Sequence, residues 1–159
     1  MRKLVYRAFG GLDVLELADV AVPKPAAGEV LVRVEAAAIN PVDWKMREGQ
    51  VKFLTGWRMP QGQGLEFAGV VEQVGRGVTA YAVGDPIFGA GKDCIADFCV
   101  AKVGGIAKRP PGLSAAVAST IAAVSRFDAA AHLRARHEVA FAPWTAPQPR
   151  RCGRLERPA

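Results

Sequence analysis

The sequence predicts a mainly β fold over its first 110 residues, followed by one helix and an irregular tail. Three features predict it. Short runs of β-branched and aromatic residues recur, Gly/Pro clusters separate them, and the texture changes abruptly at Ser114. Many short strands with turn signals between them favour a small barrel or sandwich over a parallel α/β sheet.

Lys3 to Ala8 opens as a strand and stops at Gly10-Gly11. Leu15 to Val20 alternates apolar with polar or small residues until Pro23 and Pro25 break it. Glu29 to Glu35 is the cleanest strand. It places Val30, Val32 and Val34 on one face and Glu29, Arg33 and Glu35 on the other. Asn40-Pro41-Val42-Asp43 then starts a short helix. Asn is a favoured N-cap, Pro is pre-shaped for the first helical position, and an acid in the first turn suits the helix dipole. After the turn Gln61 to Gly64 comes a strand from Glu66 to Val74, closed by Gly75-Arg76-Gly77. Gly84-Asp85-Pro86 turns the chain into Ile87-Phe88. Ile95 to Lys102 is a further strand. Ser114 is placed to cap a helix over Ala115 to Arg136, with Val117, Ile121 and Val124 on its apolar stripe. Residues 140–159, rich in Pro and Arg, carry neither a helix nor a strand period and are expected to be disordered or loosely draped.

The composition is that of a globular chain: 50% hydrophobic and 23% charged. No apolar stretch reaches the roughly 20 residues that span a bilayer. No apolar block follows the charges of the first seven residues, so a secretory signal is not expected and cytoplasmic residence is the default. Cys94, Cys99 and Cys152 form no disulfide framework and no Cys-x-x-Cys pair. The net charge of +6 is concentrated late, where residues 124–159 hold seven Arg against three acids. Without a basic stripe interleaved with aromatics, nucleic-acid binding is not expected.

Two readings of Asn40 to Asp43 stand side by side. The capped helix explains the residue types by itself. Alternatively it presents Asn40, Asp43 and Lys45 to a cleft, where polar side chains orient a carbonyl or a nicotinamide. Lys45 is a carbonyl-polarising or ribose-touching ammonium, or else a solvated helix lysine. Trp44 and Trp57 wall an apolar substrate site, or else belong to the core. Other motifs are decoys. Gly62-Gln63-Gly64 has Phe67 where a dinucleotide fingerprint needs its third glycine, Gly91-Lys92 lacks the rest of a phosphate loop, and His132 and His137 have no metal-ligand spacing.

Four ordered motifs carry a resemblance: Gly28 to Val34, Asn40 to Gly49, Gly64 to Gly75, and Gly84 to Gly89. Over residues 1–120 the chain resembles the N-terminal, GroES-like catalytic domain of the medium-chain dehydrogenase/reductase superfamily. Zinc-dependent members carry a cysteine in the place of Asn40 and a histidine in the place of Leu65. Amide and isobutyl cannot replace thiolate and imidazole, and the four-cysteine structural lobe is missing too. The resemblance is therefore to the zinc-independent quinone oxidoreductases and enone reductases. It implies a GroES-like small barrel, hydride transfer from NADPH to a quinone or an α,β-unsaturated carbonyl, and no metal. Asn40 and Asp43 match that branch's Asn-x-x-Asp, and Lys45 matches its enone-reductase-like members. Glu66 stands at a family carboxylate that, without zinc, is expected to make a structural hydrogen bond or salt bridge.

The resemblance assigns residues 1–123 to this catalytic domain and leaves 124–159 as an atypical tail. From Ala129 onward the only glycine is Gly153, so no Rossmann fingerprint can be built there. No Lys follows Lys108. The chain is accordingly expected to be truncated or to end in a shifted reading frame, to bind NADPH weakly or not at all, and to expose a patch that promotes homo-oligomers. Two functions follow: an oxidoreductase needing a nucleotide-binding domain in trans, or a non-catalytic interaction or structural module built on the barrel.

Overall fold

The computed structural model describes residues 1–121, leaving out the side chains of Leu54 and Thr55. Its strands are β1 (Arg2–Tyr6), β2 (Leu15–Asp19), β3 (Glu29–Ala38), β4 (Gln61–Gly62), β5 (Glu66–Val74), β6 (Pro86–Ala90), β7 (Phe98–Lys102) and β8 (Ile106–Lys108). Between β3 and β4 lie two short helices, α1 (Pro41–Arg47) and α2 (Lys52–Thr55). The strands form two sheets, ordered β2-β1-β4 and β7-β3-β5-β6-β8. Every pairing among the described residues is antiparallel. The mainly β expectation holds.

The sheets are tied together by residues 93–97, where the sequence places the start of a strand. Only Phe98 onward joins the ladder with β3. Ahead of it, Leu4 donates to the Ile95 carbonyl at 2.9 Å, Asp97 donates to Arg2 at 3.0 Å, and Val34 donates to Asp97 at 3.0 Å. Ile95 to Asp97 therefore divide their backbone groups between two sheets instead of extending one.

The core forms where β3, β5, β6 and β7 meet: Val30, Val32, Phe67, Val71, Ile87, Cys94, Cys99 and Ala101 are all buried. The alternation read into β3 is incomplete. Val30 and Val32 are buried as expected, but Leu31 on the opposite side is equally buried. Its first half is thus covered on both faces, while Arg33 and Glu35 reach solvent. Ser114 does cap the last helix, its hydroxyl accepting the Val117 N–H at 3.3 Å. Residues 115–121 are helical. The docked face differs from the expected stripe, since Ala118 and Ser119 are buried and Val117 is half exposed. Small side chains allow close approach there. The remainder of that predicted helix, the tail, both histidines and Cys152 lie outside the described residues.

A hydrogen bond with Cys99, and then burial, push the Cys94 thiol far above its ordinary range. Both thiols belong to the core, and a buried protonated thiol is a poor nucleophile. Iodoacetamide should therefore label Cys94 and Cys99 only after denaturation. Peptide mass mapping checks this, and labelling of either in the native protein would contradict the packing.

Asp85 shows the opposite shift. Its carboxyl is held below the ordinary 3.8 by the Ala82 N–H, at 2.9 Å, and then by the Lys108 ammonium. A depressed carboxyl pKa stabilises the fold above the unfolded value and loses that contribution as the pH falls through the folded one. Asp85→Asn should therefore melt with a flatter dependence on pH below about 4, measured by thermal scans across that range.

Candidate functional site

The site is built around the entry to α1. Asn40 is extended (φ −116°, ψ 161°), and Pro41 opens the helix behind it. The Asp43 carboxylate turns back on this entry. Its Oδ2 accepts the Asn40 N–H at 2.7 Å, and its Oδ1 accepts the Gly64 N–H at 3.1 Å. The Asp43 carbonyl accepts the Gln63 side-chain amide at 3.2 Å. Asp43 is 1% exposed. It holds α1 against the turn that leads into β5, and that position orients Asn40.

The Asn40 side chain reaches across to the first residue of β5, its Nδ2 donating to Glu66 Oε2 at 2.9 Å. Glu66 is buried and Asn40 half-buried. A carboxylate accepts only, so one of the two amide N–H groups is spent on Glu66, while the amide oxygen faces the Asp43 N–H of the capping box and keeps a second lone pair for a further donor. Glu66 thus makes a hydrogen bond, one of the two alternatives read from its type. Gly64 permits the arrangement: its φ of 88° suits glycine, and a Cβ there would stand 2.7 Å from Ile95 Cγ1.

α1 is divided by face. Asp43 and Arg47 are buried, and Arg47 Nε donates to the Gly10 carbonyl at 3.2 Å. Trp44 and Lys45 are exposed, with the ammonium 5.6 Å from the indole centre. Beyond the far end of α1 lies an aromatic chain. Phe9 packs where Gly49 lacks a side chain and meets Trp57 edge-on at 6.3 Å, and Phe53 meets Trp57 edge-on at 6.2 Å. Trp57 is 61% exposed, so neither tryptophan is a core residue. The Lys52 ammonium sits 4.4 Å from the Trp57 ring centre. The structure thus joins Asn40 to Asp43 and Lys45 to Trp44, and places Trp57 with Phe9, Phe53 and Lys52.

Sequence reasoning missed Gln63, Lys52 and Phe53. Gln63 had no visible signal, because its partner is a backbone carbonyl twenty residues earlier. Lys52 and Phe53 were legible as a cation beside an aromatic, close to Trp57.

Among the described residues no three of His, Cys, Asp or Glu converge as a metal site, and no helix is long and apolar enough to cross a membrane.

The alcohol dehydrogenase GroES-like domain model matches residues 26–130. A chloroplastic quinone-oxidoreductase homolog of Spinacia oleracea is 36% identical over 121 residues, which is 73% of this chain and 37% of that protein. An NADPH-dependent alkenal/one oxidoreductase of Arabidopsis thaliana, also chloroplastic, is 42% identical over 89 residues, 55% of this chain and 23% of that one. Among solved structures, the quinone oxidoreductase of Coxiella burnetii superposes with a TM-score of 0.71 at 30% identity, over 76% of this chain and 40% of its own. The chain spans 40% or less of the length of each of these proteins. Family model, relatives and fold agree: the chain belongs to the alcohol dehydrogenase GroES-like domain family, in the quinone oxidoreductase branch of the medium-chain dehydrogenase/reductase superfamily.

Proposed function

We propose that this domain is the acceptor-side half of an NADPH-dependent reductase of quinones or α,β-unsaturated carbonyls, working without zinc in the cytoplasm. The observation that carries the reading is the 2.9 Å hydrogen bond from Asn40 to Glu66. It ties Asn40, in the place of the zinc-binding cysteine, to the family carboxylate Glu66 through an amide, with Leu65 in the place of the zinc-binding histidine beside them. An amide nitrogen that donates to a carboxylate is not a zinc donor, and Leu65 offers no lone pair.

NADPH supplies hydride when bound. The entry to α1 does not suit its pyrophosphate. A dinucleotide diphosphate seeks free N–H groups at a helix N-terminus, and at α1 the Asp43 carboxylate already takes the Asn40 N–H. In this reading the grip on the cofactor belongs to a nucleotide-binding domain, and without one the chain is expected to be inactive. The domain's own part is to orient the acceptor. The Asn40 amide oxygen receives a donor, held in place by Asp43 and Glu66. Lys45, exposed on the same helix, polarises the acceptor oxygen as negative charge develops there. Trp44 lines the acceptor site beside it. In this reading residues 1–123 are the catalytic domain, and 124–159 lie outside it.

NADPH oxidation tests this, with tetramethyl-1,4-benzoquinone and a simple enone as acceptors. The chain alone should give background rates. A fusion to the nucleotide-binding domain of a relative should turn over, contain no zinc by metal analysis, and ignore chelators. Turnover by the chain alone would overturn the inactivity, and a folded fusion that stays inert would overturn the reductase reading.

A further inference from the structure

We propose that Trp57 and Lys52 form a subsite for the remote part of the acceptor, one that selects flat, electron-poor rings carrying a negative charge. The inference rests on the acceptor reading above.

The geometry supplies both halves of such a site. The Trp57 ring is held at its surroundings by two edge-on neighbours, Phe9 at 6.3 Å and Phe53 at 6.2 Å. Each edge-on pair sets the edge of one ring against the face of the other, and with both neighbours in place Trp57 remains 61% exposed. The described group over its face is the Lys52 ammonium, 4.4 Å from the ring centre. Among the described residues no carboxylate lies within ion-pair reach of Lys52. A tryptophan face that attracts a cation is electron-rich, and so it also attracts an electron-poor ring.

Magnitudes decide whether a flat ligand can take that place. A cation over an exposed aromatic is worth a factor of about 2–5 in an equilibrium constant. Stacking of a flat ring on an aromatic side chain is worth about 5-fold or more. The ring therefore displaces the ammonium, which swings aside on its four-carbon stem and stays close. An anionic substituent on the ligand gives the unpaired ammonium the partner it lacks.

The subsite also has a defined distance from the chemistry. Asn40 precedes α1, and Phe9 of the aromatic chain packs at Gly49 past its other end, about 10 Å away along the seven-residue helix. Contacts at Trp57 and Lys52 thus act on the far end of an acceptor, and they change KM for charged acceptors rather than the chemical step.

Equilibrium dialysis of the 159-residue chain against anthraquinone-2-sulfonate and its neutral 2-hydroxymethyl analogue tests the assignment. Circular dichroism serves as the check on folding. The sulfonate should bind about 3- to 10-fold more tightly at low salt, and high salt should erase that advantage. Lys52→Met should remove the preference and leave the neutral analogue bound as well or better. Trp57→Ala should weaken both ligands at least about 5-fold, with Trp57→Phe intermediate. Equal sulfonate binding by the parent and Lys52→Met, or binding indifferent to Trp57→Phe and Trp57→Ala, would overturn the subsite. The two proposals fail separately. Turnover by the fusion with an unchanged KM for the sulfonate in Lys52→Met removes the subsite and leaves the reductase. Binding as expected beside an inert fusion does the reverse.

Discussion

Gly69→Ala should lower the melting temperature by about 10 °C or more, or prevent folding altogether. Gly69 lies in β5, the middle strand of the larger sheet, paired on one side with Val34 of β3 and on the other with Ile87 of β6. The register of β3 against β5 shifts between Val34 and Ala36, immediately beside this pair. There the β3 backbone comes so near that a Cβ on Gly69 would run into the Arg33 carbonyl oxygen, with Val32 Cγ1 also 2.9 Å away. Backbone cannot give way as the end of a side chain can. Either the two strands part, losing ladder hydrogen bonds and opening the core around Val32 and Phe67, or the bulge is redrawn. Overpacking in a well-filled core costs about 1–3 kcal/mol and more when only backbone can move. A loss of about 3 kcal/mol is expected here. Thermal denaturation of the variant measures it, and Gly77→Ala is the comparison. Gly77 has a positive φ but no atom within 4 Å of an added Cβ, so it tests backbone strain without the clash. If Gly69→Ala melted no lower than Gly77→Ala, the close approach would not be what glycine provides at this position.

That contrast marks what the sequence could convey. Strand positions were legible for β1, β2, β3 and β5 because β-branched runs end at glycine or proline, a local signal. The Asn40-Pro41 start of α1 was legible for the same reason. The pairing of β1 with the two-residue β4, some fifty-five residues later, was not. No local property of Gln61-Gly62 distinguishes a bridge from a turn. The burial of Leu31 was not legible either, because alternation presumes one covered face, and the first half of this strand is covered on both. The site divides in the same way. Asn40, Asp43 and Glu66 were visible as residue types, and the family resemblance raised their standing. That Asn40 would lie against Glu66, twenty-six residues on, depends on β5 running beside β3. Trp57 offered two readings from sequence. Its exposure follows from a loop that turns its aromatic residues outward, which no short-range pattern encodes.

Asp43→Asn should destabilise the domain by about 3 kcal/mol, far more than an isosteric change at a surface helix would. Both carboxylate oxygens accept backbone N–H groups, one from Asn40 within its own helix entry and one from Gly64 across the site. An asparagine keeps one oxygen but turns an NH₂ toward the other donor. Whichever way the amide faces, two donors confront each other in a place that is 1% exposed to water. Leaving a buried donor unsatisfied costs about 1–3 kcal/mol, and the loss of a charge-assisted hydrogen bond adds to it. The effect should also be directional. If the Gly64 bond is the one lost, α1 parts from the turn into β5 and Asn40 moves off Glu66. If the Asn40 bond is lost, the helix entry frays and the same contact loosens. Both routes predict that Asp43→Asn and Asn40→Ala fail to add in stability, because each removes part of one network. Chemical denaturation of the two single variants and the double variant gives the coupling. A coupling near zero would mean that Asp43 holds the helix without holding Asn40, and the orientation assigned to the Asn40 amide would lose its support.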